Sequence, residues 1–314
     1  MPTGGDAEMV KVIAGREPVQ ARSGIAGRVP DHLALLKPRV MSLVVFTGGV
    51  GMAVAPGHIS AANAVTALIC MAAGAGGCGA LNMWYDADID GIMQRTAGRP
   101  IPTNRVAALE ALITGIVLSI LSVLTLGLTV NWVAAAFLGL TIGIYVPFYT
   151  MFLKRRTAQN IVLGGAAGAL PPVIGWASVT GDAGLGALSL FLIIFLWTPP
   201  HFWALAICRS SDYERAGIPM MPAVAGPEST ARQMSIYSVL LVVVSLLPPV
   251  LGIGGIVYTV LAAVLGGIFL FRAFAVQREQ EMERRHKAAY RLFGFSIFYM
   301  AALFVALLAS ALWS

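Results

Sequence analysis

Long apolar segments recur along this chain from residue 40 to its end, and each is about 20 residues long. An α-helix of about that length crosses a hydrocarbon core about 30 Å thick. Only 11% of the residues are charged while 58% are hydrophobic, which is far outside the usual range for a soluble domain. The pattern predicts an all-α polytopic protein with about nine transmembrane helices in contact with membrane lipid. The expected spans lie near residues 40–58, 62–83, 107–127, 131–152, 159–178, 185–207, 233–251, 254–275 and 292–312.

Lysine and arginine residues are confined to the N-terminal part of the chain and to every second connection between these spans. All 21 of them fall either in the N-terminal part of the chain up to Arg39 or in and beside four connections. These connections lie near residues 84–106, 153–158, 208–232 and 272–291. Because basic residues collect on the cytoplasmic side of a membrane, the distribution predicts a cytoplasmic N-terminus and a periplasmic C-terminus. The net charge of +6 therefore indicates topology and not nucleic-acid binding.

Residues 1–36 are polar and mixed in charge, and they contain no apolar core of signal-peptide length. They predict a flexible cytosolic tail ahead of a transmembrane domain over residues 37–314. Acidic residues among the arginines of this tail argue against a transit peptide, so a bacterial inner membrane is expected. The three cysteines, Cys70, Cys78 and Cys208, lie in or at the ends of spans and are expected to be reduced packing residues.

A polar motif follows directly on the second apolar stretch. Asn82, Asp86 and Asp90 are spaced i, i+4 and i+8, so on a helix they share one face and present oxygen atoms in a row. Such a row suits Mg²⁺, which takes a few carboxylates together with waters and substrate phosphates. Asp88 lies about 200° round the helix from Asp86 and is expected to point elsewhere. The motif predicts a magnesium site for a diphosphate at the membrane surface.

Basic side chains accompany this motif. Such side chains donate to phosphate oxygens and stabilise the charge that develops on a departing diphosphate. The candidates lie after the acidic motif, before the first span and after the fourth span; they are Arg95, Arg99, Lys37, Arg39, Lys154 and Arg155. Each could instead be a topology anchor, because the positive-inside rule also places basic residues at these ends.

A second candidate group surrounds His201, which lies near the inner end of the sixth span between Trp197 and Trp203. A lone histidine can be an ordinary packing residue, but ionisable groups inside membranes are rare and commonly functional. The flanking aromatic rings suit a flat, apolar partner. Downstream, Asp212 and Tyr213 could complete the site from the opposite side. We expect His201, Trp203, Asp212 and Tyr213 to be substrate-binding residues.

From about residue 35 to its C-terminal end, the chain resembles the UbiA superfamily of intramembrane prenyltransferases. The resembling segments are residues 37–41, 82–90, 95–96, 99–102, 154–160, 197–203, 212–213 and 216–222. The resemblance implies nine helices around a central cavity, with the active site toward the cytosol. At matching positions it implies that Asn82, Asp86 and Asp90 bind a Mg²⁺–diphosphate. The basic positions implied near that group are Arg95, Arg99 and Lys154.

The second polar connection departs from the wider superfamily, where two aspartates four residues apart are usual. Arg209 and Tyr213 stand at those places, which leaves Asp212 as the remaining acid and a further candidate metal ligand. The replacement resembles the branch of the superfamily that farnesylates haem. The resemblance thus implies Mg²⁺ as cofactor, and farnesyl diphosphate and protohaem IX as substrates. It also implies haem O and diphosphate as products, and a haem A synthase that receives haem O.

Other functions stay open. A transferase of the same type could act on a quinone precursor or another aromatic acceptor, and the extracted product would separate the two. An ion-coupled transporter is less consistent with the sequence, because the acids lie at a helix end and not at mid-bilayer. A haem chaperone is disfavoured by the presence of only four histidines and by the lack of a Cys-x-x-Cys-His motif.

Overall fold

The computed structural model describes residues 25–313, and it describes side chains from residue 29 onward. Within this range the chain forms helices joined by turns, as predicted. The helices are α1 (Ile25–Leu35), α2 (Pro38–Val54), α3 (Ala61–Tyr85), α4 (Ala87–Ile92), α5 (Ala108–Thr129), α6 (Trp132–Gly143), α7 (Asn160–Ala169), α8 (Pro171–Thr180), α9 (Leu185–Cys208), α10 (Ser210–Arg215), α11 (Met221–Ser245), α12 (Leu247–Val250), α13 (Gly255–Arg278) and α14 (Met282–Trp313). Helix α6 continues without a break into a π-helical segment, Ile144–Leu153.

Eight helical units among the described residues are long and apolar enough to cross a membrane. A ninth results if Val29–Leu35 and α2 form one broken span, bent by 54° at their junction. The junction contains Lys37, whose backbone is left-handed with a φ of 53°. Pro38 then begins α2, because the first turn of a helix does not need the N–H that proline lacks. The predicted membrane fold of about nine helices is confirmed, with a break in its first span.

The predicted N-terminal tail is helical where the structure describes it. Helix α1 is attached to the bundle because Arg105 donates to Asp31 at 2.8 Å and Leu35 is fully buried. The rest of the predicted tail, residues 1–24, lies outside the described residues.

The seventh span differs from its predicted bounds of 233–251. Helix α11 begins twelve positions earlier, at Met221, and has a break at Gly226, where φ is 78°. It ends at Ser245, and the short α12 follows with two prolines inside it. The polar start of α11 does not show in an apolar pattern, and paired prolines end a regular helix. The apolar unit as a whole runs from Met221 to Val250, so hydropathy located this span and its C-terminal end but placed its start twelve residues too late.

Small residues allow α2 and α8 to pack with their backbones in contact. A Cβ atom added to Gly175 of α8 would lie 1.9 Å from the carbonyl oxygen of Gly48 in α2. A Cβ atom on Gly51 would lie 2.1 Å from the carbonyl oxygen of Pro172. Glycine at these positions is what permits the close crossing of membrane helices.

Candidate active site

Asn82, Asp86 and Asp90 form a continuous row where α3 meets α4. Asp86 lies between the two helices, yet its N–H donates to the Asn82 carbonyl at 2.9 Å and its carbonyl accepts from the Asp90 N–H at 2.8 Å. All three side chains are buried, and Asn82 Nδ2 donates to Asp86 Oδ2 at 2.7 Å. The helical spacing therefore continues through the junction and keeps the three side chains on one face.

Two lysines from distant parts of the chain contact this row. Lys37 Nζ donates to Asn82 Oδ1 at 2.6 Å, and the left-handed backbone before α2 directs the lysine toward α3. Lys154 Nζ donates to Asp86 Oδ2 at 2.6 Å. Because Asp86 is fully buried and the Lys154 side chain is only 15% exposed, their ion pair is shielded from bulk water.

Arg99 contacts the far end of the row from the loop that follows α4. Its Nη1 donates to Asp90 Oδ2 at 2.5 Å. The same loop is fastened to the row, because Thr96 Oγ1 donates to the Asp90 carbonyl at 3.0 Å. Thr103 Oγ1 also donates to the Arg99 carbonyl at 2.7 Å. These local bonds fix the loop that carries the guanidinium.

The π-helical segment explains how Lys154 reaches the row. Pro147 lies inside this segment and has no N–H for an α-helical bond. The N–H of Lys154 instead donates to the carbonyl five residues earlier, at 2.9 Å. Thr150, one turn before Lys154, accepts from Asn82 Nδ2 at 3.1 Å. Thr150 and Lys154 thus face Asn82 and Asp86 in matching order.

Sequence reasoning missed Thr150 as a member of this site. It also missed Tyr145 and Tyr149, whose rings lie 5.7 Å apart in the same π-helical segment. A signal was present: a proline inside an apolar span, followed by a hydroxyl residue four positions before a lysine. Segments of π-helix are frequent at functional sites.

Arg155 lies beside the row and holds the aspartate that points away from it. It makes two bonds of 2.7 Å to Asp88, donates to the Tyr85 carbonyl at 3.2 Å and lies over the Tyr85 ring. The hydrogen bond from Arg155 holds the pKa of the Asp88 carboxyl below its ordinary value, and the same contact raises the pKa of Arg155. Arg155 Nη2 also lies 3.6 Å from Asp86 Oδ1.

The donor atoms of the row fit a hard divalent cation. Amide and carboxylate oxygens are the ligands that Mg²⁺ prefers, and the buried Asp86 Oδ1 has no hydrogen-bond partner among the described residues. No three His, Cys, Asp or Glu side chains within the described ranges form a metal-binding group. A cation here would complete its coordination with waters and substrate oxygens, as Mg²⁺ commonly does.

His201 lies among aromatic rings in the interface between α9 and α14. Its ring stacks on Trp197 with centroids 4.1 Å apart and on Phe293 at 4.7 Å. Its Nδ1 lies 2.7 Å from Ser296 Oγ, and Ser296 donates its own hydroxyl hydrogen to the Phe293 carbonyl. The direction of the bond between His201 and Ser296 depends on the imidazole tautomer. With the Ser296 hydrogen directed to Phe293, the proton of the imidazole is on Nδ1 and Nε2 presents its lone pair.

The second polar connection is linked to the loop after α4. Asp212 Oδ1 accepts from the Gln94 N–H at 3.2 Å and from Arg215 at 2.7 Å. Tyr213 packs in an apolar cluster with Ile89 and Met93 of the first connection. The two polar connections therefore meet at one end of the bundle.

Three further predicted site residues contact neither the row nor His201. Arg39 and Arg95 are exposed and make no ion pair with any residue that the structure describes. Trp203 is fully buried, and its ring meets Tyr237 of α11 edge to face. Two positions along a helix correspond to a rotation of about 200°, which places Trp203 on the side of α9 opposite His201.

A bundle of membrane helices with a buried row of oxygen-bearing side chains and basic partners at one end is characteristic of an intramembrane enzyme. Residues 43–308 match the UbiA prenyltransferase family. The chain belongs to this family.

Individual relatives agree with this assignment. The protohaem IX farnesyltransferase of Parvibaculum lavamentivorans is 58% identical over 285 residues, which cover 91% of this chain and 90% of the relative. A structure of digeranylgeranylglyceryl phosphate synthase matches 92% of this chain and 100% of its own with a TM-score of 0.78 at 17% identity. A UbiA homologue from Archaeoglobus fulgidus, bound to GPP and Mg²⁺, matches 88% of this chain and 99% of its own with a TM-score of 0.64 at 19% identity. These structures establish the common fold.

Proposed function

We propose that this enzyme transfers the farnesyl group of farnesyl diphosphate to a vinyl group of protohaem IX, with addition of water, to give haem O and diphosphate. The buried row of Asn82, Asp86 and Asp90, with its lysine and arginine partners, is the observation that carries the proposal. The high identity to a protohaem IX farnesyltransferase supports haem as the acceptor.

In this proposal the row binds Mg²⁺ and, through it, the diphosphate. Asn82, Asp86 and Asp90 supply the oxygen ligands, and Asp212 is a further candidate from the second connection. The bound ion would neutralise charge on the diphosphate oxygens. Basic side chains that now contact Asn82 or the carboxylates of Asp86, Asp88 and Asp90 would turn to the phosphate oxygens; they are Lys37, Arg99, Lys154 and Arg155. Arg39 and Arg95 lie at the same end of the bundle as the row, and they stay candidates for further positive charge near the diphosphate.

The bond changes explain why acids, bases and apolar walls are needed together. The carbon–oxygen bond of farnesyl diphosphate breaks, and both electrons stay on the diphosphate, where the basic side chains stabilise them. The vinyl π electrons form the new carbon–carbon bond and leave a cation next to the porphyrin ring. Water adds to this carbon and loses a proton, which leaves a hydroxyl group. Apolar walls protect the first cation from water.

His201 is proposed to position the haem through its iron. The Nδ1–H bond to Ser296 fixes the ring orientation, and Nε2 has no hydrogen-bond partner among the described residues. Metal-binding histidines commonly donate their other ring nitrogen to an oxygen in this way. Phe202 and Phe293 add aromatic contacts to the same ring. Tyr213, at the meeting point of the two connections, is proposed to contact the substrates as well.

The proposed setting is a bacterial inner membrane with the active site facing the cytoplasm. The described connections that carry the site are those rich in lysine and arginine, and this supports a cytoplasmic location for that end. The same rule puts the C-terminus on the periplasmic side. Transfer of haem O to a haem A synthase stays a prediction.

A direct assay tests the proposed function. Purified protein is incubated with protohaem IX, farnesyl diphosphate and Mg²⁺, and the porphyrin is analysed by mass spectrometry. We expect a product that has gained one farnesyl group and one hydroxyl group, and its formation should stop when EDTA removes Mg²⁺. Prenylation of a quinone precursor without any change to protohaem would contradict the proposal and favour the other acceptor.

A further inference from the structure

A cavity of about 420 Å³ lies at the end of α9, outside the row of acids. Its wall includes Leu205 of α9, Arg209 directly after that helix, Arg215 of α10, Gln94 of the first connection and Tyr290 of α14. The two polar connections and the last helix therefore share this cavity. Neither the metal row nor the predicted basic residues account for it.

Of the two arginines that line the cavity, one is paired with a carboxylate and the other is not. Arg215 is paired with Asp212 at 2.7 Å, and Asp212 also accepts from the backbone of Gln94. Arg209 also lines the cavity and is exposed, and it makes no hydrogen bond or ion pair through its side chain with any part of the chain that the structure describes. One guanidinium of this cavity is thus left to hold an anionic group, and guanidinium groups bind carboxylates and phosphates through two parallel hydrogen bonds.

The cavity is aligned with His201. His201 and Leu205 are four positions apart on α9, and Arg209, four positions further, directly follows the last residue of the helix, so the three lie along a line about 12 Å long. On the facing helix α14, Phe293 stacks on His201, and the Tyr290 ring lies 6.4 Å from Phe293. A flat molecule held at the edge of the His201 ring that carries Nε2 would extend along this line toward Arg209.

We propose that this cavity binds the carboxylate-bearing edge of the porphyrin acceptor, with Arg209 as its principal anion-binding residue. This inference rests on the proposed function, because it takes haem as the acceptor. The two propionate groups of protohaem lie on one half of the macrocycle, and the vinyl groups lie on the other half. Carboxylates held at Arg209 leave the vinyl edge free to meet the farnesyl group, and Tyr290 can donate its hydroxyl to the same carboxylates.

Binding of protohaem IX and of its dimethyl ester to the full-length protein tests this inference. The ester has the same ring and iron but no carboxylate charge. Both are titrated into purified protein in detergent, without farnesyl diphosphate, and followed by the haem absorption band. We expect the unmodified protein to bind protohaem about tenfold more tightly than the ester, since a charge-assisted hydrogen bond has about that value. Arg209→Gln should remove this preference, and Arg209→Lys should keep part of it.

Arg278→Gln is the matched control. Arg278 is an exposed arginine at the end of α13 and does not line the cavity. It should keep the full preference for protohaem. An unmodified protein without a preference, or an Arg209→Gln variant that retains it, would overturn the inference. A farnesyl-transfer assay on the unmodified protein decides the proposed function separately, because the binding comparison does not depend on turnover.

Discussion

Replacement of Asp86 by asparagine separates the catalytic from the structural contribution of the row. Asp86 is fully buried, and its Oδ2 accepts from Lys154 at 2.6 Å and from Asn82 at 2.7 Å. Asparagine keeps the shape and one oxygen but removes the charge. A hydrogen bond to a charged group contributes about 1.5–3 kcal/mol, so the free energy of unfolding should fall by about that amount. The melting temperature should then fall by roughly 2–4 °C for each kcal/mol.

The effect of Asp86→Asn on activity should be much larger. A metal that stabilises a departing anion contributes several kcal/mol to the transition state, and each 1.36 kcal/mol corresponds to about tenfold in rate. We therefore expect kcat/KM for farnesyl transfer to fall by about a thousandfold or more. The assay quantifies farnesylated haem by chromatography, alongside thermal unfolding of the same preparations.

Asp88→Asn provides the comparison for the geometry of the row. Asp88 is 60% exposed, lies off the row and pairs with Arg155 at the surface. An exposed pair of this kind contributes little, so kcat/KM should change by a few-fold at most. Near-normal turnover in Asp86→Asn would remove Asp86 from the metal site. An equal loss in Asp88→Asn would refute the argument from helical spacing.

Further predictions concern haem binding, the row, packing and pH. His201→Ala should weaken haem binding and alter the haem absorption spectrum while KM for farnesyl diphosphate stays unchanged, and a normal spectrum with normal affinity would exclude His201 as the iron ligand. Asp90→Asn should abolish transfer by loss of the metal, and turnover close to normal would remove Asp90 from the site. Gly175→Ala should destabilise the bundle by about 1–3 kcal/mol because its Cβ would meet the Gly48 carbonyl, whereas Gly139→Ala, in open space on α6, should not destabilise it in thermal unfolding. Because the folded-state pKa of Asp88 lies below its ordinary value, its stabilising contribution should be present above about pH 4 and should be lost as the pH falls further, so the difference in stability between the unmodified protein and Asp88→Asn should shrink in acid.

The sequence was sufficient for the architecture and for the helix face that Asn82, Asp86 and Asp90 share. Apolar stretches of membrane-spanning length are strong local signals, because a bilayer leaves the backbone few alternatives to a helix. The spacing of Asn82, Asp86 and Asp90 is equally local, and the helix preserves it through the junction at Asp86. Features that depend only on helical periodicity were therefore predictable.

Features that depend on contacts between distant segments were not. Nothing near Lys37 in the sequence indicates a left-handed backbone that directs its side chain to Asn82. The contact of Thr150 with Asn82 follows from a change of helical period directly after α6, which an apolar pattern does not reveal. Trp203 was grouped with His201 because the two are close in sequence, but helical rotation separates them in space.

The π-helical segment after α6 makes the winding of the backbone, and not only residue identity, a requirement of the candidate site. Its backbone bonds span five residues, so the ten residues from 144 to 153 turn through a smaller angle than ten α-helical residues would. Ordinary α-helical winding over the same ten residues would turn the ammonium group of Lys154 away from Asp86 without any change in its own identity. Substitutions in this stretch that restore α-helical winding should therefore disturb the row as much as replacement of the lysine itself.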